Sequence, residues 1–498
     1  MSPPNIVLVV SDQERHRGWL PADVRLPSRD RLRADGLELS NHWTHSSPCS
    51  PSRATMMTGR FLPAHGVLDN VILPWHTPLD PAIPTVGRIL KERAGYRSSY
   101  IGKWHLSYGS TPDMAAYGYA DWDGDDRHFM GWAGTGVHFD PIIAENAAHW
   151  IRQNATSSGQ PWFLTVALVN PHDVMWFPID QPGYQLAHQN ELAAARSILD
   201  AAKWQESDAI PAFSDRYDEV VENLPANFDD DLHTKPDAQR QWRWDQQHGL
   251  WGYIDRKDKR AWLRQLDYYV KLHQLADESL GTVLAALDET GTYGDTAIIF
   301  TSDHGDMCGS HGLRSKGPFV YSEIMNVPCY LKVPGTTTPG STSCSLASHV
   351  DLVPTICSIA GMDPASVPGL QGTDLAPVLR EPSAKVREHV LFAMDSAHTS
   401  AIRATRYAIR GLFDGRHKYA RYYGVGGGKP NDDFSGRPTS KLFGPDSDFD
   451  DQDHELYDLT EDPHELVNLA ADRSRRLEVR DRFAQLLEVE RLEIDAEA

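Results

Sequence analysis

Asn5-Ile6-Val7-Leu8-Val9-Val10, closed by Ser11-Asp12-Gln13, is the stretch on which the fold turns. A short, continuous apolar run of this kind marks a strand buried on both faces of a parallel sheet. The design recurs three times. Ser98 to Ile101 leads into Gly102-Lys103-Trp104-His105, and Trp162 to Val169 leads into Asn170-Pro171-His172. Thr296 to Thr301 leads into Ser302-Asp303-His304-Gly305. Between these runs lie helical patterns such as Leu266 to Leu287, apolar at three- and four-residue spacing and followed by Gly291. Strands alternating with helices predict an α/β fold, a large mixed and mostly parallel sheet flanked by helices. Ligands of such sheets bind beyond the carboxyl ends of the strands. All four runs place charged or imidazole side chains there, and that convergence predicts an active site.

The chain has 498 residues, 40% of them apolar, enough for a sizeable core. A large domain is expected over 1–380, with a helical insertion at about 191–264 that is rich in Trp, Asp and Gln. Beyond Glu381 short strand-like runs follow (Val390 to Met394, Tyr407 to Phe413), then a Gly/Asp/Pro-rich loop from Gly424 to Asp453. With a helical stretch at Leu477 to Leu492, these predict a small C-terminal α+β domain over 381–498 with an antiparallel sheet. The net charge of −21 opposes bulk electrostatic binding to nucleic acid or anionic membrane. An anionic substrate then needs a local positive pocket. No apolar stretch of about 20 residues is present to span a membrane. Five cysteines and no basic leader before an apolar run point to a reducing cytoplasm without a disulfide framework.

Cys49-Ser50-Pro51-Ser52-Arg53, running on to Gly59, is the strongest local signal. Ser50 is expected to cap a helix, Pro51 suits its first turn and Gly59 ends it. Cys49 then sits at the positive end of the helix dipole, which favours an anionic nucleophile, with Arg53 about one turn on and able to point back. Alone, the pattern fits a buried structural cysteine before an ordinary capped helix better.

The surrounding residues decide between the two. Asp12-Gln13, Cys49 to Gly59, Gly102-Lys103-Trp104-His105, Asn170-Pro171-His172, and Ser302-Asp303-His304-Gly305-Asp306 with Lys316 together resemble the formylglycine-dependent sulfatases, a branch of the alkaline phosphatase superfamily. Glu455-Leu456-Tyr457-Asp458-Leu459 and Asp462-Pro463 extend the resemblance almost to the end of the chain. It implies an alkaline-phosphatase-like fold and a maturation enzyme that oxidises Cys49 to formylglycine. One hydroxyl of the hydrated aldehyde attacks sulfur and expels the alcohol. The other then loses its proton, re-forms the aldehyde and releases sulfate, an exit that an ordinary serine or cysteine ester lacks.

Asp12, Gln13, Cys49, Asp303 and His304 are the expected metal ligands; two carboxylates and an amide oxygen suit a hard divalent cation. Many sulfatases carry Asp-Asp and Asp-Asn where this chain has Asp12-Gln13 and Asp303-His304. Calcium is expected first; the exchange removes one negative charge and offers a nitrogen ligand, which favours manganese, with magnesium the other alternative. Choline sulfatases and phosphonate monoester hydrolases are similar in this respect. Lys103 and His105, two apart, share one face of an extended segment with Trp104 opposed. Lys103 is assigned to a diol or sulfate oxygen, His105 to release of the second diol proton, and Lys316 to a sulfate oxygen. His172 is the candidate general acid at the leaving group. Arg53 completes the catalytic set.

Weaker features have plainer readings. His311 reads as pocket support rather than a substrate contact, Cys308 as a packed thiol and Asp229-Asp230-Asp231 as a solvated turn. The expected activity is hydrolysis of an organic sulfate monoester. A phosphonate monoester or phosphodiester hydrolase with the same nucleophile is the first alternative, and a catalytically inactive anion-binding scaffold the second. Specificity is expected in the 107–140 loop, the 191–264 insertion and the 424–453 loop. No motif selects among sugar, aryl, alkyl and choline esters, or sets the oligomeric state.

Overall fold

A computed structural model describes residues 3–72, 76–109, 112–122, 126, 131, 134–155, 159–177, 218–248, 254–396, 406–426 and 448–494. The strands are β1 (Asn5–Asp12), β2 (Leu37–Leu39), β3 (His42–Trp43), β4 (Arg97–Gly102), β5 (Trp162–Pro171), β6 (Thr296–Ser302), β7 (Cys329–Lys332), β8 (Ser341–Ser343), β9 (Ala347–Ser348), β10 (Val390–Ser396), β11 (Arg406–Phe413), β12 (His417–Gly426) and β13 (Asp453–Asp458). The main sheet has seven strands in the order β4-β5-β1-β6-β7-β2-β8. β7 pairs antiparallel with both neighbours, β6 and β2, and the remaining pairs are parallel.

The alternation of β1 explains how the sheet is covered. Ile6, Leu8 and Val10 pack with Met56, Val86, Ile89, Leu352 and Ile356, from the Cys49–Thr58, Val86–Ala94 and Leu352–Ile359 helices. Val7 and Val9 face the other way, into Phe139, Ile143, Ala276 and Leu280 of the Thr135–Asn154 and Lys259–Glu289 helices. At about 1.5–3 kcal/mol per fully buried aliphatic side chain, burial on both faces fixes β1 at the centre of the sheet. The carboxyl ends of β4, β5, β1 and β6 therefore open on one edge. A second, antiparallel sheet runs β10-β11-β12-β13. Val390, Phe392, Ile409 and Tyr422 pack with Trp43, Phe319, Tyr321 and Ile324, while Leu391, Leu412 and Tyr419 cluster with Val479 and Leu486 of the Arg476–Glu493 helix.

Several local expectations change. The long helix starts at Lys259, capped by Asp258, whose carboxylate accepts the Ala261 amide at 3.1 Å. It thus takes up the end of the supposed 191–264 insertion. Of that insertion, 191–217 and 249–253 lie outside the described residues, and Asp237–His248 is helical. Residues 424–426, expected in a loop, continue β12; 427–447 lie outside the described residues. Residues 135–140 of the expected 107–140 loop are the first turns of the Thr135–Asn154 helix, and 110–111, 123–125, 127–130 and 132–133 lie outside the described residues. Asp230 is no solvated turn residue: it accepts from His311 Nδ1 at 2.7 Å and lies 3.8 Å from Lys235 Nζ.

Candidate active site

The edge where β1 and β6 end carries a buried cluster of ionisable groups. Asp12 closes β1 and Asp303 follows β6. The Cys49–Thr58 helix is buried throughout and points its first residue between them. Ser50 does not cap it: the helix begins one residue earlier, at Cys49, and the Ser50 hydroxyl instead donates to the His105 carbonyl at 2.5 Å. Gly59, with φ of 65°, takes the left-handed turn that ends the helix.

Cys49 Sγ lies 3.7 Å from Asp12 Oδ1 and 3.3 Å from His304 Nε2. Donor atoms of Asp12, Cys49, Asp303 and His304 all fall within 4.8 Å of one another, and all four residues are buried. Two carboxylates, an imidazole and the residue-49 side chain around one point fit a divalent cation. Arg53 does not turn back to hydrogen-bond Cys49. Its guanidinium forks between Asp303 Oδ2 (2.9 Å) and Asp12 Oδ2 (3.0 Å), and donates to the Lys103 carbonyl at 2.8 Å. A planar cation with several fixed donors can hold two carboxylates in register as a lysine cannot. The charges divide the pair. Burial raises the Asp12 carboxyl, but Lys103, His172, Arg53 and Lys316 outweigh it and hold it well below the usual range. Asp303 is pushed up by burial and by Asp12. The Cys49 thiol is raised by burial and Asp12, yet Lys103, Lys316 and His304 bring it below its ordinary value. Burial lowers His304, but Asp303 and Cys49 leave it raised.

Lys103 leaves β4 and places its ammonium 2.7 Å from Asp12 Oδ2. The 103–105 segment is not extended as expected, because His105 takes a left-handed φ of 57°. Trp104 turns into the core against Tyr100 and Tyr117, as its apolar bulk dictates. Asp126 holds this turn, a role that no sequence signal marked. Its carboxylate accepts the Trp104 amide at 2.9 Å and the His105 amide at 3.0 Å. Burial pushes Asp126 up to about 6 against the pull of these amides. The His105 imidazole is buried, with neither ring nitrogen hydrogen-bonded among the described residues, and burial with Lys103 and Arg53 holds it well below its ordinary value.

His172 opens the short turn after β5. Burial, Lys316 and Lys103 depress its pKa well below the ordinary value. Gly131 stands against its ring: with φ of 90°, a β-carbon there would lie 2.3 Å from His172 Nδ1. Asp140, another residue without a sequence signal, accepts the Val169 and Asn170 amides and so ties down the end of β5. Lys316 reaches the site from the loop after β6 and donates to the Gln13 side-chain oxygen. Gln13 Nε2 donates to Asp306, which also accepts the amides of Cys308 (2.7 Å) and Ser315 (3.2 Å). Both ends of the Gln13 amide are thus engaged beside the four-donor cluster. His311, stacked 3.8 Å from the Tyr321 ring, and Cys308, a buried thiol whose pKa burial raises, serve the surrounding loop.

Comparison with known proteins accords with this geometry. The family model described as Sulfatase matches residues 4–362. An N-acetylglucosamine-6-O-sulfatase of Bacteroides thetaiotaomicron is 23% identical, over 94% of this chain and 82% of its own length. A solved structure in complex with its substrate D-glucosamine-2-N,6-O-disulfate superposes with a TM-score of 0.69 at 20% identity, over 99% of each chain. The phosphonate monoester hydrolase of Agrobacterium radiobacter gives a TM-score of 0.68 at 22% identity, over 99% of this chain and 96% of that one. With its mixed sheet, its C-terminal antiparallel sheet and Cys49 set among buried carboxylates, the chain belongs to the sulfatase family of sulfuric ester hydrolases.

Proposed function

We propose that this chain hydrolyses the sulfate monoester of a small organic alcohol, with residue 49 as nucleophile after a maturation enzyme has converted Cys49 to formylglycine. The observation that carries the reading is the convergence on Cys49 Sγ of Asp12 (3.7 Å), His304 (3.3 Å) and the charges of Lys103 and Lys316. Formylglycine at this place supplies a geminal diol, a nucleophile that can also release sulfate. A divalent cation, calcium first and manganese or magnesium as alternatives, would be held by Asp12, Asp303, His304 and residue 49, where it would acidify the diol and offset sulfate charge. The Gln13 oxygen accepts from Lys316 through one lone pair, and its second is the one it would offer to the ion.

The remaining roles follow from position. Arg53 holds both carboxylates in place. Lys103 and Lys316 supply the local positive charge that a chain of net charge −21 needs to admit an anion. His105, neutral and buried, is the acceptor for a diol proton. His172 faces the leaving group. Its pKa is depressed by burial and two lysines, and a bound sulfate ester works against those lysines, favouring the protonated imidazole. Sulfated amino sugars, named for two of the relatives above, head the candidate substrates.

His304 favours a second reading. An imidazole in the donor set in place of an amide suits a phosphonate monoester hydrolase as well. The decisive assay incubates metal-loaded protein with matched sulfate and phosphonate monoesters and quantifies the released anion. Sulfate release with kcat/KM well above phosphonate hydrolysis, abolished in Cys49→Ala, supports the first reading; the reverse preference supports the second.

A further inference from the structure

Behind the loop that follows β6, on the side facing the 218–227 segment, lies a second pocket of about 460 Å³. That volume is within the range that holds small ligands, about 300–1,000 Å³. It is lined by Arg15, Trp19, Asn223, Asn227, Glu323 and His464, among others. Arg15 is its unusual member. Its side chain is only 4% exposed, yet among the described residues no carboxylate lies within ion-pair distance. Buried arginines are normally paired, because an uncompensated buried charge is costly.

The partners Arg15 does have are neutral. Nη1 donates to the Met307 carbonyl and the Ser310 hydroxyl, both at 3.3 Å, and the guanidinium lies 4.1 Å over the Trp19 ring. Among the described residues Nε is buried without any partner, and so is the Trp19 indole N–H. Glu323, the carboxylate of the same pocket, is held by Asn227 Nδ2 at 2.9 Å and makes no ion pair with Arg15. A cation, two unsatisfied donors and a separate acceptor therefore share one cavity.

We propose that this pocket is a second oxyanion site, distinct from the one at Cys49, which takes a small sulfate- or carboxylate-bearing ligand. The anionic group pairs with Arg15 and the indole N–H of Trp19. Hydroxyls of a hydrophilic ligand reach Glu323 and the asparagines. Arg15 also holds Met307 and Ser310, on the loop that carries Asp303, His304 and Lys316, so the bound anion lies one residue removed from the metal loop.

Calorimetric titration of the metal-loaded full chain tests this, with inorganic sulfate as the free anion and D-glucuronate as the hydroxylated one. The site appears as one binding event present in the parent and lost or weakened about 10–150-fold in Arg15→Gln, the worth of hydrogen bonds to a charged group. The difference between parent and variant is independent of turnover, so a failed sulfatase assay leaves it readable. Trp19→Phe, which removes only the indole N–H, is expected to weaken the same event about 2–10-fold and guards against misfolding of the arginine variant. Response to sulfate alone identifies a free anion, and response to glucuronate an organic one. If both variants bind both probes as the parent does, there is no such site.

Discussion

Replacing Asp126 by asparagine is expected to disable the site without touching any residue that reaches the substrate. The Asp126 carboxylate accepts the Trp104 amide at 2.9 Å and the His105 amide at 3.0 and 3.2 Å from its two oxygens. The carboxamide keeps one acceptor and turns an NH2 group towards an N–H donor. Losing a buried acceptor in this way costs about 1–3 kcal/mol, which at 1.4 kcal/mol per tenfold lowers kcat/KM by about 5–150-fold if the turn at His105 relaxes. Asp126 lies outside the four-donor cluster, so metal affinity should not move. The pH profile carries a second signature. With its pKa pushed up to about 6, Asp126 is ionised above that pH and protonated below it, where its O–H faces the amides much as the carboxamide does. The parent-to-variant ratio of kcat/KM should therefore be largest near pH 8 and shrink as pH falls through about 6, while other titrations cancel in the ratio. A ratio near one at every pH, or a loss confined to metal affinity, refutes the positioning role.

Three further outcomes are expected. His172→Ala should reduce kcat/KM most for esters of high-pKa alcohols, towards the about 10²–10⁴-fold typical of general acid catalysis, and least for activated aryl sulfates; an unchanged leaving-group slope would move the acid elsewhere. Gly131→Ala, whose added carbon would press on the His172 ring, should reproduce that slope change while leaving metal affinity intact; parent-like kinetics would show that the ring tolerates it. Arg29→Met should destabilise the fold by about 3–5 kcal/mol, since Arg29 pairs in the core with Glu14 (2.5 Å) and Asp277 (3.0 Å). Glu14 is raised by burial but drawn down to about 2 by Arg29 and His273, so its contribution is complete above its ordinary value of 4.5 and fades as pH falls towards 2. In urea unfolding, the gap between parent and variant should narrow over that window; a constant gap would contradict it.

The parts of the molecule that rest on local pattern were legible in the sequence. β1, β5 and β6 are apolar runs whose side chains alternate between two helix-covered faces, β4 brings only Tyr100 and Ile101 to those faces, and each of the four ends beside a residue of the site. Cys49, Arg53, Lys103 and His105 stood out because their motifs are compact, and Lys316 through the family resemblance. What escaped were residues that act across distance in the chain. Asp126 and Asp140 accept backbone amides, of Trp104 and His105 and of Val169 and Asn170. A lone acid carries no periodicity or spacing that announces such a partner. Ser50 misled because an N-cap preference is only a propensity, and the hydroxyl found the His105 carbonyl instead. Asp230 misled in the opposite direction: an acidic run reads as solvated until His311 and Lys235 are brought to it.

The most direct test of the central claim couples chemistry to mass at Cys49. Protein co-produced with a formylglycine-generating enzyme is assayed for sulfate release and digested, and the Cys49 peptide is weighed. Turnover is predicted to rise in proportion to the fraction of peptide lighter by about 18 Da, the replacement of thiol by aldehyde, and to vanish in Cys49→Ala. Full activity in a preparation whose Cys49 peptide is entirely unmodified thiol would contradict it.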